Sequence, residues 1–117
     1  MTKYNAKKTV IDGITFASQL EGERFKQLKL LQQAGEIEGL KLQDEFQIAR
    51  GWINPETGEK IKSAFYIGDF TYFDNRTMRW IVEDTKGQET DLFRLKWKLV
   101  QSQYRDYEFR KVTRDEV

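Results

Sequence analysis

The stretch Ser63–Lys86, SAFYIGDFTYFDNRTMRWIVEDTK, decides how the rest of this chain is read. Its two flanks, SAFYIGDFTYF and MRWIVEDTK, are aromatic and β-branched, and the four residues Asp74 to Thr77 between them suit a tight turn, so the stretch predicts an antiparallel hairpin. Side chains alternate along a strand, which groups Asp84 and Lys86 with Trp80 and Val82 and turns Glu83 the other way. A turn closed symmetrically over 74–77 sets 69 opposite 82 and 67 opposite 84, leaving Asp69 a diagonal neighbour of Asp84 at about 7 to 8 Å, close enough for two carboxylates to share a cation. Burying Asp69 in an otherwise apolar strand is costly unless a cation or Lys86 compensates it. The competing reading of Asp69, Asp84 and Lys86 is an ordinary strand-end ion pair of small energetic weight.

Upstream, SQLEGERFKQLKLLQQAG has Ser18 as N-cap, Glu21 three residues on and Gly35 as a stop, predicting a helix over about 19–34. Leu20, Phe25, Leu28 and Leu31 share one arc, with Glu21 in its middle and Glu23 nearly opposite. Glu21 is therefore a third inward acid, or else one half of a capping box with Ser18. Glu23 and Glu83 face away from this convergence, and loss of either should be mild. TVIDGITF predicts a short ribbon turning at Asp12-Gly13 or an extended lead-in, and LQDEFQIARGW a strand separated from the next by the turn residues of NPETGEK. TDLFRLKWKLVQSQY, capped by Thr90 with apolar positions 92, 95, 99 and 100, predicts a second helix, and YEFRKV a closing strand. The order is helix, three strands, helix, strand: a mixed α/β (α+β) sandwich with a small amino-terminal ribbon, in one domain over 1–117.

The composition narrows the chemistry. Cysteine and histidine are absent, which excludes disulfides, thiol nucleophiles, Cys/His zinc sites and His-based triads. Catalysis is left to carboxylates, Lys, Ser, Thr or Tyr. A formal net charge of +1 gives no global basic field, so nucleic-acid contact would rest on local clusters such as Lys3, Lys7 and Lys8, or Arg94, Lys96, Lys98 and Arg105. No apolar run approaches the roughly 20 residues that span a bilayer, and the first residues lack a signal-peptide core, so the expected location is the cytoplasm with no membrane partner.

The GD of YIGDFTY, the EDTK that ends the next strand, the helical Glu21 and the element order together resemble the PD-(D/E)xK nuclease superfamily. The run from KYNAKKTVIDG through EGLKLQ, with YIGDFTY and VEDTKG, is also similar to a family of small phage and prophage proteins placed in that superfamily, across nearly the whole chain. The resemblance implies a restriction-endonuclease-like core with Asp69, Asp84 and Glu21 as metal-binding acids and Lys86 as catalytic lysine. Gln43 falls where related sites often carry a polar helper, or is a polar residue at a strand end. Gly68 stands in place of the motif's Pro, and Asp84 in place of the commoner Glu. An all-oxygen site suits Mg²⁺ or Mn²⁺. The implied activity is a phage endodeoxyribonuclease releasing 5′-phosphate and 3′-hydroxyl ends, structure-selective in the manner of a Holliday-junction resolvase. It would work as a homodimer in the host-cell cytoplasm, with a phage replication protein as a further possible partner. Trp52 and Trp97 are candidates for the dimer interface or for stacking on bases, against the commoner reading of aromatics at strand or helical spacing as core. The competing class is a non-catalytic nuclease-like module that binds DNA or protein, since fold does not fix function.

Overall fold

The computed structural model describes residues 7–86 and 88–117; Lys3 of the amino-terminal basic cluster and Gly87 lie outside them. Asp12 and Gly13 both take positive φ, 53° and 77°, which closes β1 (Thr9–Ile11) onto β2 (Ile14–Phe16) as an antiparallel ribbon. Ser18 Oγ then accepts the Glu21 amide at 3.1 Å and starts α1 (Gln19–Gln33). β3 (Ile37–Ala49) begins earlier than its sequence suggested, because Gly39 at φ 71° absorbs a bulge that lets the strand run through it. The turn segment around Pro55 carries its own two-residue strands, β4 (Trp52–Ile53) and β5 (Lys60–Ile61). β6 (Ala64–Asp74), β7 (Arg79–Thr85), α2 (Asp91–Gln103) and β8 (Tyr107–Val112) complete the main architecture. The four-stranded sheet has the order β3-β6-β7-β8, antiparallel except for the parallel β7–β8 pair that α2 bridges.

The hairpin turn falls over 75–78, one residue later than expected. Asp74 is the last residue of β6, and its buried carboxylate accepts the Arg76 amide at 2.9 Å, so it directs the turn without belonging to it. The observed register pairs Phe73 with Trp80 and Phe70 with Glu83. Continued by one rung, it sets Asp69 beside Asp84 instead of diagonal to it. Moving the turn by one residue shifts the pairing by two, so side chains from Phe70 to the turn and along β7 keep their expected faces.

Two hydrophobic clusters lie on opposite sides of the sheet. Phe16, Phe25, Leu28, Ile37, Phe70, Tyr72 and Ile81 form the α1 side; Phe46, Ile48, Tyr66, Val82, Phe93 and Val100 form the α2 side. Burial of each such side chain contributes about 1.5–3 kcal/mol. α2 turns Phe93, Trp97 and Val100 inward, leaving Leu92 and Leu95 exposed, so the stripe drawn through 92 and 95 was rotated from the true face. The aromatic rings explain the difference: Trp97 and Phe109 meet edge-on at 5.9 Å, burying more area than leucine at 95 would.

β3 and β6 both turn over part-way along. Leu40 and Leu42 pack on the α1 side, whereas Phe46 and Ile48, of the same parity, pack on the α2 side; Tyr66 and Phe70 are divided likewise. The turnover falls at Gln43 and Asp69, with pairing intact on both sides through Leu42–Phe70 and Asp44–Gly68. Gln43 holds a φ of 53°, the left-handed region that a residue other than glycine rarely occupies. β7 keeps its regular alternation, Ile81 to one cluster and Val82 to the other. With one strand turned over and its neighbour not, the β6–β7 ladder ends at Phe70–Glu83, and the strands part just where the acids stand.

Gly68 sits at that parting, and a Cβ there would lie 2.6 Å from Cγ1 of the fully buried Val82. Overpacking against a stiff β-branched neighbour costs about 1–3 kcal/mol, more than the ~0.4–1 kcal/mol gained by removing glycine from the unfolded chain. Gly68→Ala should therefore lower the midpoint of urea unfolding, with an unchanged slope.

Candidate metal and phosphate site

Three of the elements deliver the polar groups. From α1, Glu21 is buried among the apolar residues of the helix face. Only the Ser18 half of a capping box forms, and the Glu21 carboxyl feels the charge of Asp69 across the cleft. From β6, Asp69 Oδ2 accepts the Thr85 amide at 2.7 Å and the Thr85 hydroxyl at 2.8 Å. That side chain takes a backbone donor beyond the end of the ladder, at the point where the strands part. From β7, Asp84 is buried, and its Oδ2 accepts the Tyr66 hydroxyl at 2.6 Å.

Lys86 follows at the end of β7, its amide donating to the Val112 carbonyl at 3.1 Å, which fixes the lysine backbone against the end of β8. Its Nζ stands 3.2 Å from Asp84 Oδ1 and 4.2 Å from the centroid of the Phe93 ring. The approach to Oδ1 is too far off axis for a hydrogen bond, and Oδ1 is left buried without a donor.

Glu21, Gln43, Asp69 and Lys86 line one cleft of about 1060 Å³, walled also by Ser18 and Thr85. Asp84 borders a smaller hollow on the α2 side, and Lys86 reaches both. Of the five residues singled out in the sequence, four thus share one cleft and the fifth lies against their lysine. Tyr66 and Thr85 hold the acids from positions that the sequence pattern did not single out; a strand tyrosine three residues before Asp69 was the available signal.

The acids crowd one another. Burial, then the charge of Asp69 and a hydrogen bond to it, push Glu21 from an ordinary 4.5 up to about 8. Burial and the Asp69 charge push Asp84 up to about 6, against the lowering pull of Tyr66 and Lys86. The donor set fits a hard divalent cation: three carboxylates meet a single ammonium, two of them are driven toward protonation, and one buried oxygen has no donor. Among the described residues no three acids already stand at metal-ligand separations. Glu21, Asp69 and Asp84 are the groups that would hold the ion.

Behind the site, Arg24 donates to Glu83 through Nε at 2.7 Å and Nη2 at 2.6 Å, and the Tyr72 hydroxyl donates to the same carboxylate. Glu83 is fully buried, so the expectation that its loss is mild is overturned: facing away from the acids put it into the α1 side of the core, not into water. Glu23 does lie outside, paired with Arg114 at 2.6 Å.

A mixed α/β domain whose sheet parts around clustered carboxylates and one lysine is the class these features define. The chain belongs to the family described as Protein of unknown function (DUF1064), which it matches over residues 1–116. Comparison with curated proteins and with solved structures gives no match.

Two outcomes follow. Glu83→Ala should cost about 3–5 kcal/mol by stranding the Arg24 charge, against less than ~1 kcal/mol for Glu23→Ala, as measured by chemical denaturation. An acid whose pKa rises on folding holds its proton more tightly in the folded state. The contribution of Glu21 is then full below its ordinary 4.5 and is lost as pH climbs to about 8. Thermal melts in EDTA should fall across that window, and Glu21→Gln should flatten the fall.

Proposed function

We propose that this protein is a divalent-metal-dependent endodeoxyribonuclease with a restriction-endonuclease-like core, acting on DNA of non-standard structure. The observation that carries the reading is the meeting of Glu21, Asp69 and Asp84 with Lys86 where β6 and β7 part, two of the acids being held toward protonation by burial and mutual charge. Such a cluster destabilises its own domain unless positive charge enters it, and an open cleft of this volume admits a phosphodiester.

A bound Mg²⁺ or Mn²⁺ supplies Lewis-acid polarisation of the phosphate. The chain's own groups do the rest. Lys86, steadied by the Val112 carbonyl and the Phe93 ring, presents an ammonium to a phosphate oxygen or orients the attacking water. The proton that the water gives up passes to solvent water in the open cleft. The water oxygen bonds to phosphorus as the bond to the 3′ oxygen breaks, and that oxygen takes a proton from solvent water and leaves as a hydroxyl, leaving a 5′-phosphate. Gln43 lines the cleft with a strained backbone, a combination that belongs to binding sites more often than to plain strands. A homodimer, and action in a phage-infected cell beside replication proteins, complete the reading. Among the described residues no helix is long and apolar enough to cross a membrane.

A second reading is a nuclease-like module that binds DNA without cutting it. The engagement of Asp84 by Tyr66 and Lys86 favours it, since that carboxylate is already partly compensated.

Incubation with linear, single-stranded, flapped and four-way DNA, with and without Mn²⁺, separates the two. Cleavage should require the metal, and Asp69→Asn or Lys86→Ala should slow it by roughly 10²–10⁴-fold. Mn²⁺ should raise the melting temperature of the intact protein and leave that of Asp84→Ala unmoved. DNA binding with no cut product under any of these conditions would establish the binding module.

A further inference from the structure

After Ala49 the chain leaves the sheet as the β4–β5 ribbon, which pairs Trp52 with Ile61 and Ile53 with Lys60. Among the described residues the ribbon packs on itself and not appreciably on either helix or on the main sheet. Trp52 is 53% exposed and Ile53 61%. Two-stranded ribbons are marginal in water, yet this one is braced. The Gly58 amide donates to the Asn54 carbonyl at 2.7 Å, the Asn54 amide to the Glu59 carbonyl at 2.9 Å, and the Glu56 amide to Asn54 Oδ1 at 2.9 Å. At its base the two strands close tightly on Gly51, where a Cβ would stand 3.0 Å from the Ser63 nitrogen and 3.2 Å from the Ile61 oxygen. A ribbon that exposes tryptophan and isoleucine contributes little to the core of its own domain, so folding does not account for the pair.

What surrounds the ribbon does. Arg50, Lys60 and Lys62 are exposed along it, with Glu56 and Glu59 toward the tip. β6 begins where the ribbon ends, and its alternate residues Phe65 and Ile67, 38% and 47% exposed, lead along the strand to Asp69. At a strand rise of about 3.3–3.4 Å per residue, Asp69 lies roughly 17 Å from the ribbon's root at Ala64, less than the width of a DNA duplex.

We propose that the β4–β5 ribbon is a wedge for interrupted duplex DNA, entering between the strands at a branch or nick with Trp52 against bases on one face and Ile53 on the other, while Arg50, Lys60 and Lys62 take flanking phosphates. Resting on the DNA-processing reading, this assigns the substrate class: duplex containing a point where stacking is already broken. Prising bases apart is cheapest there, and indole stacking is indifferent to base identity, so the wedge selects structure and not sequence. The exposed line through Phe65 and Ile67 then carries one strand from the wedge to the cleft.

The test compares the intact protein with Trp52→Ala/Ile53→Ala in EDTA, where no metal-dependent cut can occur, using four-way and linear DNA of equal length with 2-aminopurine at the branch. The intact protein should bind the four-way form more tightly and raise 2-aminopurine emission. The variant should melt at the same temperature, lose the emission change and bind four-way DNA on the order of 10- to 100-fold more weakly, with linear affinity little altered. Equal affinity of the two proteins for four-way DNA overturns the wedge. So does failure of the intact protein to bind DNA, or a fall from dimer to monomer in sedimentation velocity, which would make the ribbon a contact between copies. An intact protein that binds as expected but never cuts in Mn²⁺ would remove the nuclease reading and leave the wedge standing.

Discussion

The guanidinium of Arg24, gripping both oxygens of Glu83 beneath the sheet, sets the relation between α1 and β7, and the geometry of the acids follows from it. Glu21 precedes Arg24 on the same helix face, and Asp84 follows Glu83 on the opposite face of the same strand. One joint therefore positions two carboxylates at once. A forked, planar cation fixes rotation as well as distance, which a lysine in its place cannot do. The two charges are tolerated away from water because the Tyr72 hydroxyl also donates to Glu83 and because Arg24 keeps some access to solvent.

The second constraint is the turnover of β3 and β6. A sheet that alternates regularly gives each face to one helix along its full length. Here the paired strands reverse together at Gln43 and Asp69, so the hydrophobic faces trade sides without losing register. The third strand does not follow, and in the gap that results the Asp69 side chain takes the Thr85 amide and hydroxyl where the backbone ladder has ended. The strained φ of Gln43 is the local cost of that opening.

Much of this was legible in the chain. The mixed α/β class, both helices with their N-caps, the Asp12-Gly13 turn and the burial of Glu21 follow from short-range pattern, because caps, turns and helix arcs depend on neighbours in sequence. The face of Asp84 was readable too, since a period of two survives a register error of two, whereas that of Asp69 was not, because β6 turns over there. What could not be read depends on distant partners. Leu92 and Leu95 look inward by spacing alone, and only the aromatic packing of Trp97 against the sheet shows that they are not. Glu83 looked dispensable because its Arg24 partner lies 59 residues away. The turnover at Gln43 has no glycine to announce it. The small ribbon was concealed inside a segment whose Pro and Gly read simply as a turn.

Lys86 owes its backbone placement to Val112, a residue that emerges from the ribosome only after α2 and β8 have been made. Parallel pairing of β7 with β8 closes a long loop and is slow compared with the β6–β7 hairpin. During synthesis the hairpin and its two aspartates can therefore form while the amine still lacks its anchor.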